Sequence, residues 1–220
     1  MKRFLVLAGV FCLVEAAWAP AVPVNRGKKE ITYLDLQPRA NGKLKDNFQG
    51  GNAGNNLAAL PKKEQKLAGA PFKIEDKLIQ LSGKGQEHGR DKVEGIAVGK
   101  AFARLYILHA TGTGWGTKDG EVVARYVVHY ADKTKATIDI AYGKDVRDWW
   151  YYTNSPDLSR GKVAWKGKNA SATQGGAAIR LYLTTWKNPH PKKKVIGIDF
   201  LSTKTTPAAP FCVAMTVEGK

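Results

Sequence analysis

The chain has 220 residues, 43% of them hydrophobic, and its 35 Lys and Arg against 19 Asp and Glu give a formal charge of +16. This length and apolar content allow one large core without disulfide or metal staples and exclude a disordered chain. The charge is spread along the chain, with concentrations at Lys28–Lys29, Lys62–Lys63, Lys166–Lys168 and Lys192–Lys194. Such a field gathers anionic partners and is screened by salt.

At the N-terminus Lys2 and Arg3 precede an apolar run from Phe4 to Val14, and small residues follow in "EAAWAPAV". A basic start, an apolar stretch and a small-residue exit are the parts of a secretory signal peptide, expected over residues 1–21 with cleavage between 16 and 22. The run is shorter than the roughly 18 residues of a membrane span, and no second one is longer, so no transmembrane segment is expected. Removal of the leader takes Cys12 and leaves Cys212, so no intramolecular disulfide can form. Cys212 lies in "FCVAM" and reads as a buried small hydrophobe. Export places the protein outside the cell or in the periplasm or envelope. There its charge suits acidic polysaccharides, anionic lipid surfaces or other acidic polymers rather than nucleic acid, with solubility alone as the alternative.

Residues 22–220 read as one domain. From Val22 to Leu60 the chain is rich in Gly, Asn and Pro, with one short strand in "TYLDL" and a long irregular loop, "NGKLKDNFQGGNAGNN". Asn41, Asp46, Asn47, Asn52 and Asn55 offer the oxygen ligands a structural calcium ion takes, though no pattern fixes a site. No other cofactor is expected. The best helical segment is a turn or two near Pro61–Lys66. Strands then follow steadily: "APFKIE", "KLIQLSG", "VEGIAVG", "FARLYILHAT", "EVVARYVVHYA", "KATIDIAYG", "KVAWKG", "AIRLYLTTW", "VIGIDFLS" and "PFCVAMTV". Most are β-branched or aromatic and bounded by turn residues. Many short strands without intervening helices imply an all-β antiparallel two-sheet sandwich or barrel.

Two strands allow their faces to be read. In "IRLYLTTW", Ile179, Leu181 and Leu183 make the core face, and Arg180, Tyr182, Thr184 and Trp186 a polar-aromatic one. "EVVARYVVHY" is nearly continuous, as in a central strand covered on both sides, where Arg125 and His129 need partners.

Catalytic signatures are missing. The sequence has no nucleophile elbow, no His-Glu-x-x-His and no Cys-x-x-Cys. "GTGWG" at 112–116 resembles a nucleotide loop only in its glycines, since it leads toward a strand. His109 and His129 both close predicted strands and read as hydrogen-bonded strand residues. Asp145 and Asp148 lie three apart on one loop, where a glycosidase pair would come from different strands. No enzymatic activity is expected.

"GKDVRDWWYYTN", residues 143–154, is neither an alternating strand nor a polar turn. "GIAVGKAFARLYILHATG", "ARYVVHYADKTKATIDIAYGKDVRDWW" and "LYLTTWKNPHPKKKVIGIDFLS" resemble the recurring segments of a secreted bacterial β-sandwich module of the galactose-binding-domain-like group. The resemblance runs from about Ile31 to Val217 and implies a jelly roll akin to carbohydrate-binding modules. The related hairpins read Tyr-Ala-Asp-Gly, whereas here Lys133 follows Asp132. In such a module the loops at one end form a patch where rings stack on sugars and charged groups take hydroxyls. That implies Arg147, Asp148, Trp149, Trp150 and Tyr152 as ligand residues, with Trp186 from the neighbouring strand end. The alternatives are an aromatic plug closing the core, with Trp149 inward and Trp150 outward if both uses hold, and an envelope protein-interaction or scaffold module with no sugar site.

Overall fold

In the computed structural model, residues 29–48, 51–86 and 89–219 are described. The expected leader and its cleavage site lie outside the described residues. The strands are β1 (Ile31–Tyr33), β2 (Lys63–Leu67), β3 (Ala70–Ile74), β4 (Ile79–Gln80), β5 (Lys92–Lys100), β6 (Arg104–Gly112), β7 (Val122–Tyr130), β8 (Lys135–Ala141), β9 (Trp150–Tyr151), β10 (Lys162–Gly167), β11 (Ala178–Lys187), β12 (Val195–Ser202) and β13 (Ala209–Glu218). One sheet has the order β1-β13-β6-β11-β10, with β4 added to β13 and β9 to β11; a second has the order β5-β12-β7-β8; β2 and β3 form a hairpin. The pairings between these strands are antiparallel. The chain is therefore an all-β antiparallel sandwich, as its short β-branched segments require. No helix among the described residues is long and apolar enough to cross a membrane.

The seven-stranded sheet is covered on both faces. On the inner face His109 meets the Tyr126 hydroxyl of β7 at 3.3 Å, and Tyr126 stacks on Phe200 of β12 at 4.5 Å. On the outer face Phe211 packs against Phe48 and Trp149, at centroid distances of 5.4 and 5.8 Å, and β3 lies against β13. The N-terminal loop region thus makes a third layer, burying Leu44, Phe48, Leu57 and Leu60. This explains why β13, "APFCVAMTVE", is buried throughout and reads as a continuous apolar run. Cys212 sits inside it, and burial pushes its thiol up to about 12, so it is an inert core residue.

Three sequence expectations are corrected by this layering. β7 is central but covered on one side only: Arg125 is exposed and pairs with Asp139 at 2.8 Å, while His129 pairs with Asp199 at 2.6 Å. In β11 both faces are buried as far as Thr184. Tyr182 and Thr184 face the other sheet beside His109, and Leu181 lies on the side of Ala110 and Phe211. The segment near Pro61–Lys66 is strand β2 rather than a helix. Its partner β3 follows a two-residue loop, Ala68-Gly69, with φ of 48° and 88°, the left-handed pair that a tight hairpin loop demands. The one α-helix among the described residues is Ala170–Gln174 (α1), capped by Asn169, whose side chain accepts from the Ala172 amide at 2.7 Å. It has no apolar period to reveal it.

Candidate functional site

β6 and β11 are in register from Arg104↔Lys187 to His109↔Tyr182, and beyond that point they part. Residues 148–151 fill the gap. The Trp149 amide donates to the Thr111 carbonyl at 2.7 Å, and the Trp149 carbonyl accepts from the Arg180 amide at 2.7 Å. Trp150 and Tyr151 pair with Ile179 and Ala178, and the Tyr182 hydroxyl donates to the Asp148 carbonyl at 3.0 Å. The aromatic run is thus a short strand wedged between two diverging ones, with its backbone groups satisfied.

Its rings go to different places. Trp149 is buried between Phe48, at 4.9 Å, and Phe211, so it is a core residue and presents no ring to a ligand. Trp150 is half-buried, and its indole N–H donates to Asn55 Oδ1 at 3.0 Å. Tyr151 lies under the Arg180 guanidinium, 4.9 Å from its centroid. Tyr152 is exposed.

The charges around the run separate as well. Asp145 is fully buried and is held by Arg160 and the Ala141 amide. Arg147 makes a bidentate pair with Asp119 at 2.8 and 2.7 Å, and its guanidinium lies 5.6 Å from the centroid of Tyr142. Asp148 accepts from the Gly114 amide at 2.7 Å and from the Trp150 amide at 2.9 Å. Burial pushes its carboxyl up to about 6, against the two amides that favour the charged form. Gly114 is required for this approach, because a Cβ there would lie 2.9 Å from the Tyr142 ring.

Arg147, Asp148, Trp150 and Tyr152 line one cleft of about 290 Å3, together with Asp119, Tyr142 and the loop Gly114–Thr117. Its rim carries Trp115, 70% exposed, with a ring centroid 6.4 Å from that of Tyr152 at an interplanar angle of 56°. Among the described residues only Trp115, Tyr152 and Ile196 are large hydrophobics left exposed, so two of the three converge on this cleft. Arg147 and Thr117 line this cleft, while their Nε and Oγ1 atoms are buried beneath its surface without a protein partner. Trp115 and Asp119 were not among the residues expected from sequence. The available signal was a tryptophan between two glycines, with no strand neighbours to bury it.

Trp186 is not part of this cleft. It lies seven residues along β11 from Ile179, the partner of Trp150, or roughly 23 Å at strand rise. It packs edge-on against Phe102 at 6.3 Å and lines a second cleft, of about 520 Å3, with Arg160 and Lys162. The two strand-closing histidines are hydrogen-bonded, as read from the sequence: His109 is buried on Thr184 and Tyr126, with burial lowering its pKa to about 4, and His129 meets Asp199 on the outer face of β7. In the N-terminal loop, Asn41, Asp46, Asn47 and Asn55 use side-chain oxygens to accept from Gln80, Lys43, Gly54 and Trp150. Among the described residues no three His, Cys, Asp or Glu side chains are grouped as metal ligands. No family model, curated protein or solved structure matches the chain.

Proposed function

We propose that this is a jelly-roll module of the galactose-binding-domain-like kind, exported, which binds a glycan without chemically altering it in the cleft between Trp115 and Tyr152. The strand order supports the topology. With β1, β5, β6, β7, β8, β11, β12 and β13 taken as strands one to eight, the sheets read 1-8-3-6 and 2-7-4-5, the order of two interleaved Greek keys.

The observation that carries the binding reading is the convergence, on one cleft, of two exposed rings, Trp115 and Tyr152, over a lining of polar and charged side chains that includes Thr117, Asp119 and Ser155. A pyranose offers both complements: an apolar face for the rings and hydroxyls for the polar side chains of the lining. The remaining polar groups hold the shape. Asp119 is clamped by Arg147, and both oxygens of Asp148 accept main-chain amides. With both carboxylates engaged in holding the shape of the cleft, a binding rather than a hydrolytic role is favoured.

A panel of neutral and sulfated glycans, run at two salt concentrations against parent and Trp115→Ala proteins, tests this. The parent is expected to select particular sugars, and Trp115→Ala to weaken them by about 1–3 kcal/mol, on the scale of aromatic stacking with bases. A folded Trp115→Ala protein that binds every glycan as the parent does would refute the cleft.

A further inference from the structure

The opposite pole of the sandwich carries a different surface. β6 and β8 run toward the aromatic cleft, ending at Gly112 and Ala141, whereas β11 leaves it and ends at Lys187. The far ends of β7, β11 and β12 are therefore about 30 Å from the cleft, the length of a ten-residue strand. Here the turn Ala131–Thr134 and the loop Asn188–Lys194 meet. Lys133, Lys135, Lys187, Lys192 and Lys194 are exposed, and none forms an ion pair among the described residues.

The loop that displays them is held from inside. Asn188 is buried: its amide group donates to the Phe102 carbonyl at 2.9 Å, and its Oδ1 accepts from the Tyr130 hydroxyl at 2.7 Å and the His190 amide at 2.9 Å. The Ala131 amide donates to the Lys194 carbonyl at 2.9 Å. Lys193 bridges the two segments, reaching Asp132 at 2.6 Å and lying 5.6 Å from the Tyr130 ring centroid. The one acid of the turn is thus already neutralised, and the backbone that carries the surrounding lysines is held before any partner arrives.

We infer that this pole is a second binding surface, for an anionic polysaccharide, independent of the aromatic cleft. All five unpaired cations are lysines, suited as point charges to sulfate or carboxylate groups repeated along a chain. No large aromatic is exposed here to stack on bases, and Ile196 is the single exposed large apolar side chain near it, too little to insert into a bilayer. A protein with one pole for a neutral sugar face and the other for polyanion would bridge two polymers.

The test compares binding to dextran sulfate and to unsulfated dextran over a salt series. Lys133→Gln/Lys192→Gln/Lys194→Gln is set against Lys118→Gln/Lys144→Gln/Lys168→Gln, an equal charge change around the cleft end. The substituted lysines are all exposed, so both variants should keep the parent's unfolding midpoint. The polar triple is expected to bind dextran sulfate roughly a hundredfold more weakly, about fivefold per lysine, with a shallower salt dependence. The second triple should stay within about threefold of the parent, because its charges lie beyond a Debye length from the pole. Equal losses in the two triples would overturn the inference, since net charge alone would then explain binding. So would equal binding to unsulfated dextran, or tighter binding to anionic vesicles or single-stranded nucleic acid. Trp115→Ala should leave dextran sulfate binding unchanged, so failure here and failure of the cleft are separable.

Discussion

Trp149→Ala separates the structural part of the aromatic run from its exposed part. The ring is 2% exposed and wedged between Phe48 and Phe211. A buried tryptophan removes on the order of 200 Å2 from water, about 5 kcal/mol at 25 cal/mol per Å2, and large aromatic truncations in cores cost about 3–5 kcal/mol. The backbone bonds to Thr111 and Arg180 do not depend on the side chain, so the wedge itself should persist and the loss should be a cavity. Urea unfolding is then expected to show a midpoint lowered by the equivalent of about 3–5 kcal/mol with an unchanged denaturant slope. Trp115→Ala, 34 residues away in sequence and 70% exposed, should stay within about 0.5 kcal/mol. A Trp149→Ala protein within about 1 kcal/mol of the parent would refute the assignment of this ring to the core.

Arg160→Ala should cost about 3–5 kcal/mol, because it strands the fully buried Asp145 carboxylate with one remaining donor, the Ala141 amide; Asp145→Asn/Arg160→Ala should recover part of it, read by thermal unfolding. Asp148 and His109 should act oppositely on stability between pH 6.5 and 4. Asp148 has its carboxyl raised from 3.8 to about 6, so it gains stability as it protonates, while His109 is lowered from 6.5 to about 4 and loses stability on acidification. Asp148→Asn should therefore steepen the acid-side fall of the urea midpoint, and an unchanged profile would contradict the burial of that carboxyl. Gly143→Ala should destabilise by more than 1 kcal/mol, since φ is 75° and a Cβ would lie 2.3 Å from Asp119 Cγ; it should also weaken glycan binding by displacing the partner of Arg147.

The β content was legible because nearly every strand announces itself with β-branched residues and turn punctuation. Its third layer was not. Nothing in "NGKLKDNFQGGNAGNN" marks it as the cover of a sheet, because only Leu44 and Phe48 carry the contact within that stretch. That hidden cover turned Leu181 and Leu183 outward and Tyr182 inward, reversing the face assignment of β11. The site was half legible for a similar reason. Arg147, Asp148, Trp150 and Tyr152 share a cleft because they share a loop, whereas Trp186 was joined to them by its position at a strand end, and it is the wrong end. Trp115 and Asp119 arrive from the β6–β7 connection, a juxtaposition set by the register of two strands far apart in sequence.

"DVRDWWYYTN" resists a single secondary-structure reading because its residues answer to different neighbours. A strand inserted between two diverging strands is bound on both edges, so its backbone needs no turn chemistry and its side chains need not alternate. Trp149 closes the outer core, Tyr151 takes the Arg180 cation, Asp148 ties the insertion to the Gly114 loop, and Arg147 holds Asp119. Each of these contacts also fixes one wall of the cleft. The rim ring Trp115 belongs to a loop whose amide is anchored by Asp148, so the spacing of the two exposed rings is set by the buried end of the same segment. A cleft built in this way is preorganised, and a ligand bound in it would spend no affinity on ordering the loops. Because that coupling runs through the backbone of the wedge and through Asp148 rather than through the Trp149 ring, a series of Trp149 variants should lose stability while each folded molecule keeps its rim spacing and its glycan affinity.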